Sequence, residues 1–582
     1  MKIWGLLILS LSLLTAGVPA KLPEAALAGV GTPQTPRVWV SWDRYYDWKG
    51  VTEILTQLEK AYPELASVSS IGKSYKGKDI WLITITNPRT GKPEEKPGFY
   101  IDGNIHSNEV QGTEVALYTA WYLLEMYHHN SLIRELVDTR TFYIVPTINP
   151  DARDYFLHEP NTPHSPRSGL IPRDDDGDGL VDEDDFDDLD GDGFIVQMRK
   201  KDPLGQWRSD PRDPRLMVRV GPDEQGEYTL LGWEGIDNDG DGRVNEDRPG
   251  FYDPNRNWPW RWMPRYVQFG ADEYPFNLPE TRAVGDFWLN HPNIAGAQSY
   301  HNAGGMILRG PGDPEDVYPL PDVQLYEAIA HRGEQILPGY RYLVVYKDMY
   351  PVYGGELNWF YSMQGALTFT NELWTPFNFF RDSVSVRNWF GNIRKQYAFD
   401  RYVLFQDAII PWKKFHHPQY GEIEIGGVKK HYTRMPPGFL LLEECHRNMA
   451  FTLYHAYHLP LLQFGNIKQR NLNNGIKEIL VEVRNVRLQP THLAIDLKHR
   501  ISPPDQAQLQ GKGIRIVAGF VVTDPYLGVA VEQPHRPAVL KVRNVPGKGR
   551  VWLKWLVKGR GQATVTFRSV KGGTIRQSIQ VP

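Results

Sequence analysis

From Trp39 to about Leu462 the chain alternates between two hydrophobic periods. "WKGVTEILTQLEKAYPEL" carries apolar residues at helical spacing and ends near a proline, which predicts a helix over 48–65. "DIWLITITN" alternates apolar and polar positions as a half-buried strand does. "PGFYIDGNIH" and "TRTFYIVPTINPD" are short apolar runs ending in polar residues, with the helical "GTEVALYTAWYLLEMY" between them. That order predicts an α/β domain with a mixed, mostly parallel sheet flanked by helices. In such sheets ligands gather at the carboxyl ends of strands. His106 and the run Asn149, Pro150, Asp151 both fall at such ends.

Between Phe156 and Phe251 the pattern breaks into an Asp/Gly-rich insertion, about residues 157–250. Strands return with "NIAGAQSYHN" and "GALTFTNELW", and a helix near "PGFLLLEECHRNMAFTLYHAYH" closes the domain, placed at 39–462. After Gln463, short β-type runs ("EILVEVRNV", "IRIVAGFVV", "AVLKVRNV", "RVWLKWLV", "ATVTFRSV") are spaced by Gly, Pro and Asn turns. They predict a small all-β sandwich module over 466–582. A length of 582 residues agrees with two domains, or one large domain and a module.

Composition narrows the classes. Cys445 is the only cysteine, so an internal disulfide and a Cys-rich zinc site are both excluded. Residues 1–20 read as an export signal: Lys2 gives a positive start, Ile3 to Thr15 is apolar, and Val18-Pro19-Ala20 offers small residues for cleavage. No later segment reaches about 18 uninterrupted apolar residues. A secreted protein, extracellular or periplasmic and without a membrane span, is the expectation, with no inhibitory prodomain before Trp39. Residues 466–582 hold 20 Lys/Arg against 6 Asp/Glu, leaving 45 against 63 for the rest. The basic tail therefore faces either an anionic cell-surface polymer or the acidic remainder of its own chain. No nucleic-acid partner is assigned.

The chemistry concentrates in "GNIHSNE". His106 and Glu109, three apart, make a weak signal alone, since a Glu there also suits a helix N-terminus. His301 in "SYHN" ends a second strand, and two His with one carboxylate make the ligand set of a catalytic zinc site that leaves one position for water. Such a hydrolase also needs a carboxylate to carry the proton and a cation for the oxyanion. Glu372, in "LTFTNELW", stands at a strand end.

Over most of residues 42–462 these motifs resemble the zinc carboxypeptidases of the funnelin type. "GNIHSNE" looks like that family's first ligand pair and "SYHN" like its third ligand, which implies one catalytic Zn²⁺ held by His106, Glu109 and His301. "FYDPNRNWP" is similar to its Asp-x-Asn-Arg-Asn motif. By that resemblance Asn255 and Arg256 hold the substrate's terminal carboxylate, and Asp253 orients His106. "YPVYGGELNW" with "GALTFTNELW" implies a mobile Tyr350 and Glu372 as general base and acid. "QMRKK" resembles the segment with the oxyanion arginine, which makes Arg199 the candidate. Two departures stand out. Asn108 occupies the place of an arginine that contacts the penultimate residue in the pancreatic branch. At the specificity position Leu357 favours an apolar C-terminal residue, while Glu356 beside it leaves room for a basic one.

In the insertion, "DDDGDGLVDED" recurs as "DNDGDGRVNED", with "DLDGDG" as a shorter echo. Alternating Asp followed by Gly suits a wrapped hard cation. Structural Ca²⁺ is expected on Asp174, Asp176, Asp178, Asp182, Asp188, Asp190, Asp192, Asp237, Asp239, Asp241 and Asn245. The twelfth loop positions hold Asp185 and Arg248 rather than Glu, so these are not EF-hands. The function expected is removal of C-terminal residues from peptides or proteins. Two alternatives use other substrates or none: cleavage of cell-wall peptides beside D-glutamyl or diaminopimelyl residues, and a calcium-stabilised binding protein without catalysis.

Overall fold

The computed structural model describes residues 29–174, 177–382, 391–432 and 434–582. The export signal read at 1–20 and the ligand expected at Asp176 lie outside the described residues. The central sheet has eight strands, in the spatial order Ala66–Lys73, Asp79–Ile85, Thr141–Val145, Gly98–Gly103, Ile294–Asn302, Leu367–Leu373, Met306–Arg309 and Arg341–Val344. The four strands from 141–145 to 367–373 run parallel and are joined antiparallel to their neighbours on either side, while 306–309 and 341–344 run parallel to each other. Every residue of 98–103, 141–145 and 294–302 is buried. Coverage of both faces is why these segments read as short apolar runs rather than as alternation.

Helices Trp48–Ala61, Gln111–Met126 and Gly438–Tyr457 cover one face around a core that includes Leu55, Val115, Leu124 and Met449. Pro279–Asn290 and Glu356–Ser362 cover the other with Phe287, Trp288, Trp359 and Phe360. The first helix starts where Asp47 accepts from the Gly50 N–H at 2.8 Å. It stops at Ala61, short of the expected Leu65, because Pro63 bars the residue before it from helical geometry and Tyr62 turns to φ −133°. Helix 111–126 is buried along its whole length, so it is apolar on nearly every side.

The insertion is more ordered than its composition suggests. Residues 197–201, 207–210, 213–219 and 228–233 join 409–417 and 421–428 in a six-stranded sheet whose recorded pairings are antiparallel. Its strands are rich in charge, as in "QMRKK", and the pairing of 421–428 with 197–201 sets Glu424 beside Arg199. Neither apolar period nor sequence proximity announces such a sheet.

Residues 462–581 form a five-stranded and a four-stranded sheet packed over Val481, Leu509, Trp555 and Phe567. Leu493 and Ile495 leave that core and pack with Ile307, Phe369 and Phe451 of the α/β part. Asp322, on helix Leu320–Ile336, accepts from the N–H groups of Ala494 and Ile495 at 2.8 and 2.9 Å. Among the described residues no helix is long and apolar enough to cross a membrane.

Candidate active site

The chain leaves strand Gly98–Gly103 through Asn104, which adopts φ 59°. Its amide donates to the carbonyls of His106 at 2.8 Å and Ser107 at 3.0 Å, folding the loop that carries His106. Glu109 precedes the helix that starts at Gln111, so its carboxylate turns to the sheet end rather than serving as a helix cap. Gly103 and Gly112 let these two elements touch: a Cβ on Gly103 would come 2.6 Å from the Gly112 backbone. His301 lies near the end of strand 294–302, and the parallel register sets Glu372 directly beside it.

These elements bring His106, Glu109 and His301 together in a buried cluster whose donor atoms all lie within 4.8 Å of one another. His106 Nδ1 is 3.1 Å from Glu109 Oε2 and 3.1 Å from His301 Nδ1, and His301 Nδ1 is 2.8 Å from Glu109 Oε2. Two imidazole nitrogens facing each other beside a carboxylate are a donor set for a cation, and two His with one carboxylate suit zinc. Burial opposes it, but His106, Arg167 and His301 together hold the Glu109 carboxyl well below the usual range. The outer nitrogens are anchored as metal-ligating histidines require. His106 Nε2 lies 2.9 Å from Asp253 Oδ1, and His301 Nε2 lies 3.1 Å from Glu356 Oε1.

One cavity is lined by His106, His301, Glu372, Asn255, Arg256 and Tyr350. Arg256 is buried and donates to the Asn255 carbonyl at 2.8 Å. Asn255 Oδ1 accepts from the Glu356 N–H at 2.8 Å, which leaves its NH₂ as the available donor. Tyr350 is exposed. Burial, then the neighbouring Glu109, push the Glu372 carboxyl up. The apolar wall is Leu308, Val345, Val352 and Leu357.

Two expectations need correction. Arg199 is not in this cavity. Its guanidinium lies 2.6 Å from Glu424 and stacks on Tyr228 and Trp412 at 4.0 and 4.2 Å, within the insertion's own sheet. The guanidinium at the cluster belongs to Arg167, 2.8 Å from Glu109 Oε1 and 3.5 Å from Asp253 Oδ2. Glu356 does not offer charge to the C-terminal pocket, because it is fully buried behind His301. Asn108 is also buried, donating to the Pro163 carbonyl at 3.0 Å.

Arg434 escaped the sequence reading altogether. It donates to the Asn302 carbonyl at 2.9 Å, contacts His164 Nδ1 at 3.0 Å and approaches Glu109 at 3.6 Å. Nothing near it in the sequence signals a role, since Glu109 is hundreds of residues away. "SPRSG" around Arg167 offered only an arginine between turn-forming residues.

The acidic repeats close into matching turns. Asp174 accepts from Gly177 and Gly179, Asp188 from Asp192 and Gly193, and Asp237 from Gly240 and Gly242. Among the described residues, carboxylates of the insertion converge in three groups: Asp178, Glu183, Asp239; Asp188, Asp190, Glu234; and Asp237, Asp239, Asp241. Glu183 and Glu234 were not expected there. Asn245 donates to the Trp233 carbonyl at 3.1 Å. Asp174, Asp182 and Asp192 stand outside these groups. Lys413 Nζ reaches Asp190 and Asp192 at 3.5 Å.

An α/β sheet whose parallel strand ends converge on two histidines, a glutamate and an Asn-Arg pair defines a metal-site domain of the carboxypeptidase-like class. The family model described as zinc carboxypeptidase matches residues 51–168 and 231–389, and this part of the chain belongs to that family. Residues 461–580 match a domain of unknown function (DUF8731). Carboxypeptidase D of Mus musculus is 36% identical over 112 residues, which are 19% of this chain and 8% of that protein. The zinc carboxypeptidase of Saccharothrix mutabilis subsp. capreolus is 33% identical over 127 residues, 22% of this chain and 28% of that protein. The chain thus spans far less than two thirds of these relatives. Among solved structures, carboxypeptidase A from Helicoverpa armigera aligns over 75% of this chain and 77% of its own, at 18% identity and TM-score 0.42. Thrombin-activatable fibrinolysis inhibitor aligns over 73% and 79%, at 16% identity and TM-score 0.42.

Proposed function

We propose that the protein is a zinc-dependent carboxypeptidase that removes the C-terminal residue from peptides. What carries the reading is one cavity lined by His106, His301, Glu372 and the Asn255–Arg256 pair, with Glu109 clustered on the two histidines. Zinc bound there supplies a water of pKa lowered toward about 7 and a polarised scissile carbonyl. Glu372 takes the proton from the attacking water and delivers it to the leaving amine. Arg167 donates to the carbonyl oxygen as negative charge builds on it. Arg256 and the Asn255 NH₂ hold the terminal carboxylate, a planar anion matched to a guanidinium fork, and Tyr350 covers it from the mouth. Leu308, Val345, Val352 and Leu357 receive an apolar C-terminal side chain.

Ca²⁺ in the acidic groups of the insertion belongs to the same proposal. Burial, with Asp190 and Asp188 adding to it, pushes Glu234 up to about 8. Such crowding is relieved by a divalent cation. Export through residues 1–20 and an anionic surface polymer at the basic module complete it, on charge and sequence pattern alone.

Mass spectrometry of a mixed peptide pool incubated with the zinc-loaded protein tests the central claim. Single C-terminal residues, mainly apolar ones, are lost. Glu372→Gln lowers the rate at least about 100-fold while keeping its zinc. Uncleaved peptides, or internal cleavage, would overturn the assignment.

A further inference from the structure

His301 presents Nδ1 to the donor cluster, 2.8 Å from Glu109 and 3.1 Å from His106. When Nδ1 is a ligand, Nε2 carries the proton and needs an acceptor. Two side-chain polar atoms lie near Nε2: Asn255 Nδ2 at 3.3 Å, itself a donor, and Glu356 Oε1 at 3.1 Å. Glu356 is therefore the acceptor. Its carboxylate is fully buried, and the Ser299 hydroxyl donates to the same Oε1 at 2.6 Å, fixing its position from the strand that carries His301. At the first position of helix Glu356–Ser362, its backbone N–H donates to Asn255 Oδ1 at 2.8 Å. One residue thus touches both the metal ligand and the side chain assigned to the substrate carboxylate.

We propose that Glu356 is a positioning residue that sets the orientation and basicity of His301 through its side chain and the pose of Asn255 through its backbone. The inference rests on the zinc reading of the cluster. It divides the two roles between separable atoms: a side-chain change alters the metal ligand and leaves the Asn255 contact in place. The leucine next in sequence, Leu357, lines the C-terminal pocket, so adjacent residues serve the metal and the substrate.

The test is Glu356→Gln in the full-length protein, with zinc affinity measured by chelator competition independently of turnover. Affinity falls by about 10-fold or more, within the range seen when such outer partners are removed. At saturating zinc, KM for peptides changes less than about twofold while kcat falls, because the backbone N–H still holds Asn255. The metal-free variant melts no lower than the metal-free parent. Zinc affinity within twofold of the parent overturns the proposal, as does a loss of metal-free stability with zinc affinity unchanged. If Glu356→Gln does not fold, Ser299→Ala carries the test, since it frees Oε1 without removing it. Zinc affinity must then fall by about threefold or more, and no change counts against the proposal. Zinc binding that responds as stated in a protein that cleaves no peptide would sink the carboxypeptidase reading and leave this one standing.

Discussion

The guanidinium of Arg199 is 6% exposed, paired with Glu424 and sandwiched between two aromatic rings. A charge so enclosed maintains the insertion's sheet and has no freedom to meet a substrate. Arg199→Met is expected to lower stability by roughly 3 kcal/mol, because it strands a carboxylate that had a partner, and to leave kcat/KM of the folded protein close to that of the parent. Arg167→Met is expected to act on catalysis, lowering kcat by about 100-fold or more through the lost oxyanion donor. Thermal melts and steady-state kinetics on both variants distinguish the assignments. At the pocket wall, Leu357→Asp is expected to cut cleavage of C-terminal Leu or Phe and to favour Lys or Arg. The comparison is kcat/KM on peptides that differ only in the last residue. All of these effects depend on neighbours that are distant in sequence.

At the scale of elements, the loop that carries His106, the helix start after Glu109 and the paired ends of strands 294–302 and 367–373 are local in origin. Asn104, the short apolar runs and the polar residues that end them are all visible in the chain. The insertion is different. Its turns were legible from Asp and Gly spacing, but its sheet pairs residues near 200 with residues near 424, and its acidic groups recruit Glu183 from a non-alternating position of the repeat and Glu234 from outside it. Removal of calcium with zinc retained is expected to lower the melting temperature by several degrees, with calcium but not magnesium restoring it. Calorimetry with selective chelation checks this. An unchanged melt would dismiss structural calcium.

For the whole molecule, the question is how the basic module sits on the acidic part. Arg487 pairs with Glu135, Arg576 with Glu95 at 2.7 Å, and Lys571 donates to the Gln364 carbonyl. Part of the positive excess is therefore spent on the protein's own surface. Next to the Leu493 plug, His492 sits between Asp496 at 3.1 Å and Asp505 at 3.0 Å. Burial works against its charge, but the hydrogen bonds and charges of these aspartates raise it to about 9. A histidine raised above its unfolded value near 6.5 contributes stability that is complete below pH 6.5 and lost as pH rises through 9. The melting temperature should fall across that window, and His492→Gln should flatten the fall. Lys571, lowered to about 8 by burial, acts in the opposite sense, so the difference between parent and variant isolates the histidine.

By itself the sequence determined what depends on short range: the order of helices and strands, the strand ends that carry His106, His301 and Glu372, the Asn-Arg pair and the acidic turns. Hydrophobic period and turn chemistry act over a few residues, so they can be read along the chain. Tertiary structure alone decided which arginine faces the cluster, that Glu356 lies behind a histidine rather than in the pocket, and that Arg434 approaches Glu109. It alone decided, too, that charged segments some 200 residues apart form one sheet. The physical reason is that a buried polar group is placed by whichever partner can satisfy it once the chain has folded, and neither period nor spacing records that partner's identity.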